Sequence, residues 1–132
     1  MAGKKSKDGE FKVTDRDAFR REGPGKRFIE PRILLLLIRG PSYGYEIISR
    51  MEEIPLPGPL PDTGAVYRKL RQMEEKGLVT SRWKEGGQGP RRRIYRINAK
   101  GKKRLSFWVE AIRQRVTMLE RFIGLCEEEG VR

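Results

Sequence analysis

The feature that most constrains the fold is an unbroken heptad pattern in the last part of the chain. From Leu105 to Cys126, apolar residues recur at alternating spacings of four and three positions. This pattern predicts a long helix with one narrow apolar face. The face can pack on the body of its own chain or on a helix of a second subunit, and we favour the second subunit. The residues predicted to form this dimer interface are Leu105, Trp108, Val109, Ile112, Val116, Leu119 and Ile123.

Two shorter helices are predicted in the first half of the chain, each bounded by helix breakers. The segment "RILLLLIRG" has Pro31 in its first turn and ends at Gly40, which is followed by proline. The segment "YGYEIISRMEE" follows, and Ser42 is predicted to cap it. The loop "IPLPGPLP" cannot continue a helix, because prolines remove backbone donors and clash with the preceding turn. A further short helix is predicted at residues 15–22.

A third helix, "TGAVYRKLRQMEEKG", is predicted between Asp62 as the N-cap and Gly77 as the terminator. Its apolar residues recur at helical spacing, so one face turns inward and the other carries polar side chains. The inward residues are Val66, Leu70 and Met73.

Two alternating segments, "LVTSRWK" and "RRIYRIN", flank the glycine-rich "EGGQGPR" and predict a β-hairpin. Tyr95 and Ile97 are expected on its core side. Helices followed by a hairpin form the winged variant of the helix-turn-helix. The predicted fold is therefore mainly α with a small β-hairpin. Its parts are a basic, partly disordered N-terminal arm (1–27), a winged helix-turn-helix (28–98) and a C-terminal dimerisation helix (99–127).

The positive charge of the chain is concentrated in one segment. The net charge is +12, and residues 84 to 104 hold nine Lys or Arg against Glu85 alone, a local excess of +8. Such a patch is typical of proteins that bind a polyanion, although charge also serves solubility. The third helix and the hairpin are the expected contacts, because a helix fits the major groove and arginines suit phosphates. The predicted DNA-binding residues are Tyr43, Thr63, Tyr67, Arg68, Lys69, Arg71, Lys84, Arg91, Arg92 and Arg93.

Several chemistries lack the residues that they need. The chain has one cysteine, Cys126, and no histidine, so an internal disulfide, a clustered zinc site and histidine-based catalysis are excluded. The "GGQGPRRR" segment lacks the Lys-Ser or Lys-Thr pair and the following helix of a nucleotide P-loop. We expect no enzyme activity, cofactor or metal. No signal peptide is evident, and "ILLLLI" is too short to span a bilayer, so a cytoplasmic protein is expected.

Three segments together resemble the PadR family of transcriptional regulators. They are "ILLLLIRGPSYGYEII", "GAVYRKLRQMEEKGLVTSRW" and "GGQGPRRRIYRINAKGKKRL", within residues 29 to 123. The resemblance implies a homodimeric winged helix-turn-helix repressor of the smaller subfamily. It also implies that the Tyr67 helix reads DNA, the wing contacts the flanking backbone, and a single C-terminal helix builds the dimer.

The resemblance also bears on two finer points. The family often has Thr or Ser two residues before the helix tyrosine, where this chain has Ala65, and Thr63 can supply that hydroxyl. Some members bind aromatic or drug-like molecules between the subunits, and Phe107 and Trp108 lie in the corresponding region. We interpret these two rings as core residues first and as lining of an effector pocket second.

Two functions from different classes are compatible with these patterns. The first is a sequence-specific DNA-binding regulator, a ligand-responsive repressor that acts as a homodimer on an inverted-repeat operator. The second is an RNA-associated or protein-protein adaptor that uses the winged domain as a scaffold, since fold alone does not fix function.

Overall fold

A computed structural model describes residues 28 to 84 and 92 to 132 of the chain. The predicted N-terminal arm, the helix expected at 15–22 and the glycine-rich hairpin turn at 85–91 lie outside these residues. A 3₁₀ turn at Met51–Glu53 follows the helix at Gly44–Ser49. The elements in chain order are α1 (Ile29–Ile38), β1 (Ser42–Tyr43), α2 (Gly44–Ser49), α3 (Thr63–Glu75), β2 (Val79–Lys84), β3 (Arg92–Ile97) and α4 (Ala99–Glu128).

The core is built around α1, whose aliphatic run explains its central position. Ile33 and Leu34 are fully buried, and Leu36 and Leu37 are nearly so. Burial on most sides of a helix requires neighbours on most sides, and α1 contacts α3, α4 and β3. The inward stripe predicted for α3 is confirmed. Its three residues, Val66, Leu70 and Met73, are all 0% exposed.

Both ends of α3 are fixed by the residues that the sequence suggested. The Asp62 carboxylate accepts a hydrogen bond of 2.7 Å from the Ala65 N–H, as an N-cap does. Gly77 takes a φ of 79°, which favours glycine. The Leu78 N–H then bonds to the Met73 carbonyl at 2.9 Å, which closes a Schellman motif. These contacts set where α3 stops and where β2 begins.

The sheet has three strands, one more than the predicted hairpin. β1 pairs antiparallel with β3, and the strand order is β1-β3-β2. Ser42 therefore does not cap α2, and that prediction was wrong. Ser42 lies in β1 opposite Tyr95, while the Tyr43 N–H at the helix start donates to Glu46 Oε1 at 2.9 Å. This pairing joins the start of α2 directly to the hairpin.

The first half of α4 is anchored in the core by a buried carboxylate of α1. Glu30 is 2% exposed, and its Oε1 accepts hydrogen bonds from Trp108 Nε1 at 2.6 Å and Arg104 Nε at 2.7 Å. A buried charge requires such partners because water no longer solvates it. The Phe28 ring also packs edge-on against Trp108, with centroids 5.9 Å apart.

This anchoring corrects the dimer-interface prediction for Trp108 and decides between the two interpretations of Phe107 and Trp108. Trp108 is 1% exposed inside its own subunit, so it does not lie on the predicted dimer interface. Phe107 is 4% exposed, and together the two rings fill the core instead of lining an effector pocket. Core packing was the favoured interpretation of these rings, and it is confirmed.

The predicted apolar face of α4 divides between two environments. Leu105 and Ile112 are half-buried and pack against the core of their own chain. Val109 lies at the border, 46% exposed. Beyond Ile112 the apolar residues are open to solvent. They are Val116, Met118, Leu119, Phe122, Ile123 and Leu125, with exposures from 46% to 69%.

Candidate nucleic-acid interface

The outward face of α3 presents three of the predicted contact residues in one row. Thr63, Tyr67 and Arg71 are exposed and follow one another at intervals of four, which places them on the same side of a helix. Arg68 is also exposed and lies beside this row. The capped N-terminus of α3 therefore leads into a polar face that a duplex can approach.

Tyr67 is held in place by a glycine at the start of α2. A Cβ built on Gly44 would lie 2.7 Å from Cε1 and 3.0 Å from the hydroxyl of Tyr67. Only glycine allows the ring to come this close to the backbone. The ring is 37% exposed, so one side rests on α2 and the other remains accessible. The position of Tyr67 is thus fixed before any ligand binds.

A second group of contact residues joins the start of α2 to the wing. The rings of Tyr43 and Tyr45 stack with centroids 5.8 Å apart. The Arg92 guanidinium lies over both rings, at 5.6 Å and 5.5 Å from their centroids, and its Nη1 donates to the Tyr45 hydroxyl at 3.3 Å. Cation–π contacts of this kind restrict the guanidinium without neutralising it. Lys84 lies opposite Arg92 in the hairpin register.

Between the two groups lies a cleft of about 460 Å³, lined by tyrosines, Trp83, three arginines and one carboxylate. Its charged side chains are Arg71, Arg92, Arg93 and Glu74, so positive charge exceeds negative charge. Tyr95 forms part of its floor, and burial raises the pKa of the Tyr95 hydroxyl above its usual value. The floor is therefore neutral near pH 7, while the walls are cationic.

The structure does not bring all the predicted residues to this surface. Lys69 is half-buried, and at roughly 100° per residue it lies about 200° around α3 from Tyr67, on the opposite side. Arg93 is turned into the cleft, with its Nε donating to Ser81 Oγ at 2.8 Å. Arg91 lies outside the described residues.

Sequence reasoning missed three side chains of this surface. Tyr45 is 51% exposed and stacks on Tyr43, so its place two residues after that predicted contact was the available signal. Trp83, also 51% exposed, continues the core face of β2 beyond the end of the core. Ser81 showed no signal of its own, because its role depends on partners from α3 and β3.

A separate apolar groove lies on the far side of the molecule, where the proline-rich loop meets α4. Its volume is about 420 Å³. One cationic side chain, Arg115, borders it, and the groove continues directly into the exposed apolar face of α4. The other lining residues are Phe28, Leu56, Pro57, Ile112, Val116 and Leu119.

Metal-binding clusters and membrane spans are both absent from the part of the chain that the structure describes. Within residues 28–84 and 92–132, no three Cys, Asp or Glu side chains come together as a metal site would require. None of the helices in these ranges is both long and apolar enough to cross a membrane.

The second half of α1 through the first turns of α4 match the model of a known protein family. The model of the transcriptional regulator PadR-like family matches residues 33–106. A curated relative, the transcriptional regulator YqjI of Escherichia coli, is 32% identical over 91 residues, which are 69% of this chain. The match spans 40% of the length of that relative.

Solved structures of the same fold confirm the predicted fold class. A PadR family transcription regulator from hypervirulent Clostridium difficile is 26% identical, with a TM-score of 0.62 over 73% of this chain and 98% of that one. Bacillus subtilis PadR in complex with operator DNA is 26% identical, with a TM-score of 0.56 over 63% of this chain and 46% of that one. The predicted helices, wing and long C-terminal helix thus form a known arrangement.

Proposed function

The chain belongs to the PadR-like family of transcriptional regulators, and from this premise we propose that it is a homodimeric repressor that binds operator DNA. Members of this family regulate transcription and are not enzymes. We place its action in the cytoplasm, where operator DNA is accessible.

The observation that carries the proposal is the convergence of α3, the start of α2 and the wing on one cationic surface. In the proposed complex α3 enters the major groove, and Tyr67 and Arg68 approach base edges from its first turns. Arg92 and Lys84 contact the flanking phosphates, for which guanidinium and ammonium groups are suited. Tyr43 and Thr63 add hydroxyl contacts to the backbone. Lys69 is left out, because it lies on the opposite side of α3.

The dimer is proposed to form through the exposed apolar face of α4. A contiguous apolar face on a solvent-exposed helix typically marks an interaction site. A twofold axis through this face relates the two α3 helices, which then meet DNA about one helical turn, roughly 34 Å, apart. The operator is accordingly an inverted repeat.

We also propose that the repressor responds to a small aromatic or hydrophobic effector. Phe107 and Trp108 are occupied by core packing, so the candidate site moves to the apolar groove beside the dimer face. Titration of the operator complex with planar aromatic compounds tests this part. Unchanged operator affinity across such a set would argue against an effector of this class.

Selection of bound duplexes from a random pool tests the DNA-binding proposal. We expect enrichment of an inverted repeat and a steep fall of affinity with salt. The full chain is then titrated with the selected duplex, a random duplex and bulk RNA of matched length. Equal affinity for all three would instead favour the adaptor function.

Three variants assign the contacts. Arg92→Ala should weaken binding to selected and random duplexes alike, and should reduce the salt slope by about 0.9 for each phosphate that is no longer neutralised. Tyr67→Ala and Arg68→Ala should in addition reduce discrimination between the two duplexes. Arg113→Ala, an exposed cation on α4 away from this surface, is the matched control. Equal losses with Tyr67→Ala on both duplexes would show that another element reads the sequence.

A further inference from the structure

Three elements of the candidate interface meet at the hydroxyl of Ser81. This hydroxyl donates to the Glu74 carboxylate, with both oxygens at 2.9 Å, and accepts from Arg93 Nε at 2.8 Å. Glu74 belongs to α3, Ser81 to β2 and Arg93 to β3. One small side chain thus connects the predicted reading helix to both strands of the wing.

The Arg93 side chain is held on a second side by Trp83. Its guanidinium carbon lies 4.8 Å from the centroid of the Trp83 ring. The two residues are partners in the hairpin register, so their side chains share one face of the sheet. Arg93 is half-buried there, whereas its neighbour Arg92 is exposed and lies over the rings of Tyr43 and Tyr45.

This arrangement explains why a carboxylate, Glu74, lies among the arginines of the cleft. A carboxylate in a cationic cleft that faces DNA repels phosphates and weakens binding. Glu74 is instead engaged by the Ser81 hydroxyl, which is itself engaged by the cation Arg93. A charge-assisted chain of this kind is stronger than neutral hydrogen bonds and has a fixed direction. Its geometry specifies the angle between α3 and the wing.

We propose that Arg93 and Ser81 are positioning residues that hold the wing against α3, and that Arg93 does not bind phosphate. The inference rests on the proposed binding of DNA. With the Arg93–Ser81–Glu74 hydrogen bonds intact, Tyr67 reaches the major groove of the DNA while Arg92 and Lys84 reach the flanking phosphates. Without the Ser81 hydroxyl, the hairpin is no longer joined to Glu74, and the wing no longer meets the backbone at the right distance.

Ser81→Ala is the decisive variant because it removes no charge. We expect about tenfold weaker binding to the selected duplex and a shallower salt slope, by about 0.9 for each phosphate that the wing no longer reaches. Ser81→Thr, which keeps the hydroxyl, should restore both values. Glu75→Gln, at the exposed carboxylate next to Glu74, is the matched control and should differ little from the wild type. Wild-type affinity and slope for Ser81→Ala would overturn the proposal.

A double-mutant cycle separates positioning from direct contact. If Ser81 acts through Arg93, the double variant Ser81→Ala/Arg93→Ala should bind the selected duplex no more weakly than Arg93→Ala alone. Additive losses would mean that Arg93 contacts DNA independently of Ser81, and the proposal would be overturned. Glu74→Gln should resemble Ser81→Ala, although it makes the cleft less negative.

A measurement without DNA distinguishes this inference from the proposed function. The chain has two tryptophans, so incorporation of 5-fluorotryptophan gives two fluorine resonances. The Trp83 resonance should move in Ser81→Ala and return in Ser81→Thr, while the Trp108 resonance stays in place. An unmoved Trp83 resonance would overturn the positioning role. Failure of the wild type to bind any duplex would overturn the proposed function, and it is seen independently of the fluorine spectra.

Discussion

The two halves of α4 have the same apolar spacing but different surroundings. In the first half, Trp108 is 1% exposed and Ile112 packs against the core of its own subunit. In the second half, Leu119 and Ile123 are 57% and 53% exposed. The heptad pattern therefore predicts an apolar face along the whole helix, but it does not tell which part of that face packs on the chain's own core. The position along α4 at which that core ends decides the question.

The largest difference between the halves should appear when one large side chain is removed from the first. Trp108→Ala should lower the free energy of unfolding by about 3–5 kcal/mol, because it leaves a cavity and removes a hydrogen bond to Glu30. Met118→Ala on the exposed half should change it by less than about 0.5 kcal/mol. Urea unfolding measures both, in a Leu119→Glu background so that association does not contribute. Similar losses would abolish the contrast.

Association should depend on the second half alone. Leu119→Glu places a carboxylate in the proposed interface, and burial of an unpaired charge is costly. We expect the dimer Kd to rise more than about 100-fold, which corresponds to roughly 2.7 kcal/mol. Analytical ultracentrifugation measures the Kd, and circular dichroism should show an unchanged fold. A dimer that persists would place the interface elsewhere.

The ionic anchor of the first half should have a smaller effect than its tryptophan. Glu30→Gln keeps an oxygen acceptor for Trp108 but loses the charge that holds Arg104, and we expect a loss of about 2 kcal/mol in unfolding free energy. Glu110→Gln, in an exposed pair with Arg113 at 3.7 Å, is the matched control and should cost about 0–0.5 kcal/mol. Thermal and urea unfolding compare the two. Equal costs would mean that burial of the Glu30 pair contributes nothing.

The smallest predicted effect concerns the ends of α4. The Asn98 side chain accepts from the Gly101 N–H at 2.9 Å and donates to the Gly77 carbonyl at 2.7 Å. Asn98→Ala should therefore cost about 1 kcal/mol, as the loss of a helix cap does. Glu129→Ala at the other end should have almost no effect on the monomer. Hydrogen exchange along α4 should rise near Asn98 in the first variant only, and a rise at both ends would contradict the contrast.

Elements with strong local signals could be predicted from the sequence. The heptad spacing predicted α4, and the alternating residues predicted β2 and β3. Asp62 as the N-cap and Gly77 as the terminator predicted the two ends of α3. β1 could not be predicted, because two residues show no periodicity and their pairing depends on Tyr95, which is distant in the chain. For Trp108 the sequence left a core position and a dimer-interface position both open, because its hydrogen-bond acceptor, Glu30, lies on another helix.

The candidate site was predictable at the level of its elements but not of every side chain. Arg92 and Arg93 are equivalent in a count of charge, yet successive residues of a strand point to opposite faces. Alternation places Ser81 on the core side of β2, but it could not show that Ser81 meets Glu74 of α3 and Arg93 of β3 there. Lys69 entered the predicted surface in error, because the helical spacing already places it about 200° around α3 from Tyr67, and it is half-buried there.

The buried contact between Glu30 and Trp108 has a mechanical consequence. α4 continues about 16 residues beyond Ile112, which packs against the core, or roughly 24 Å at 1.5 Å per residue. A tilt of about 5° where the helix leaves the core would move the far end by approximately 2 Å over such a length. In the proposed dimer the far end of α4 would contact α4 of the second subunit, so this displacement would change the positions of both subunits. In that dimer the distance between the two proposed reading helices would depend on how Glu30 seats the first half of α4 in the core.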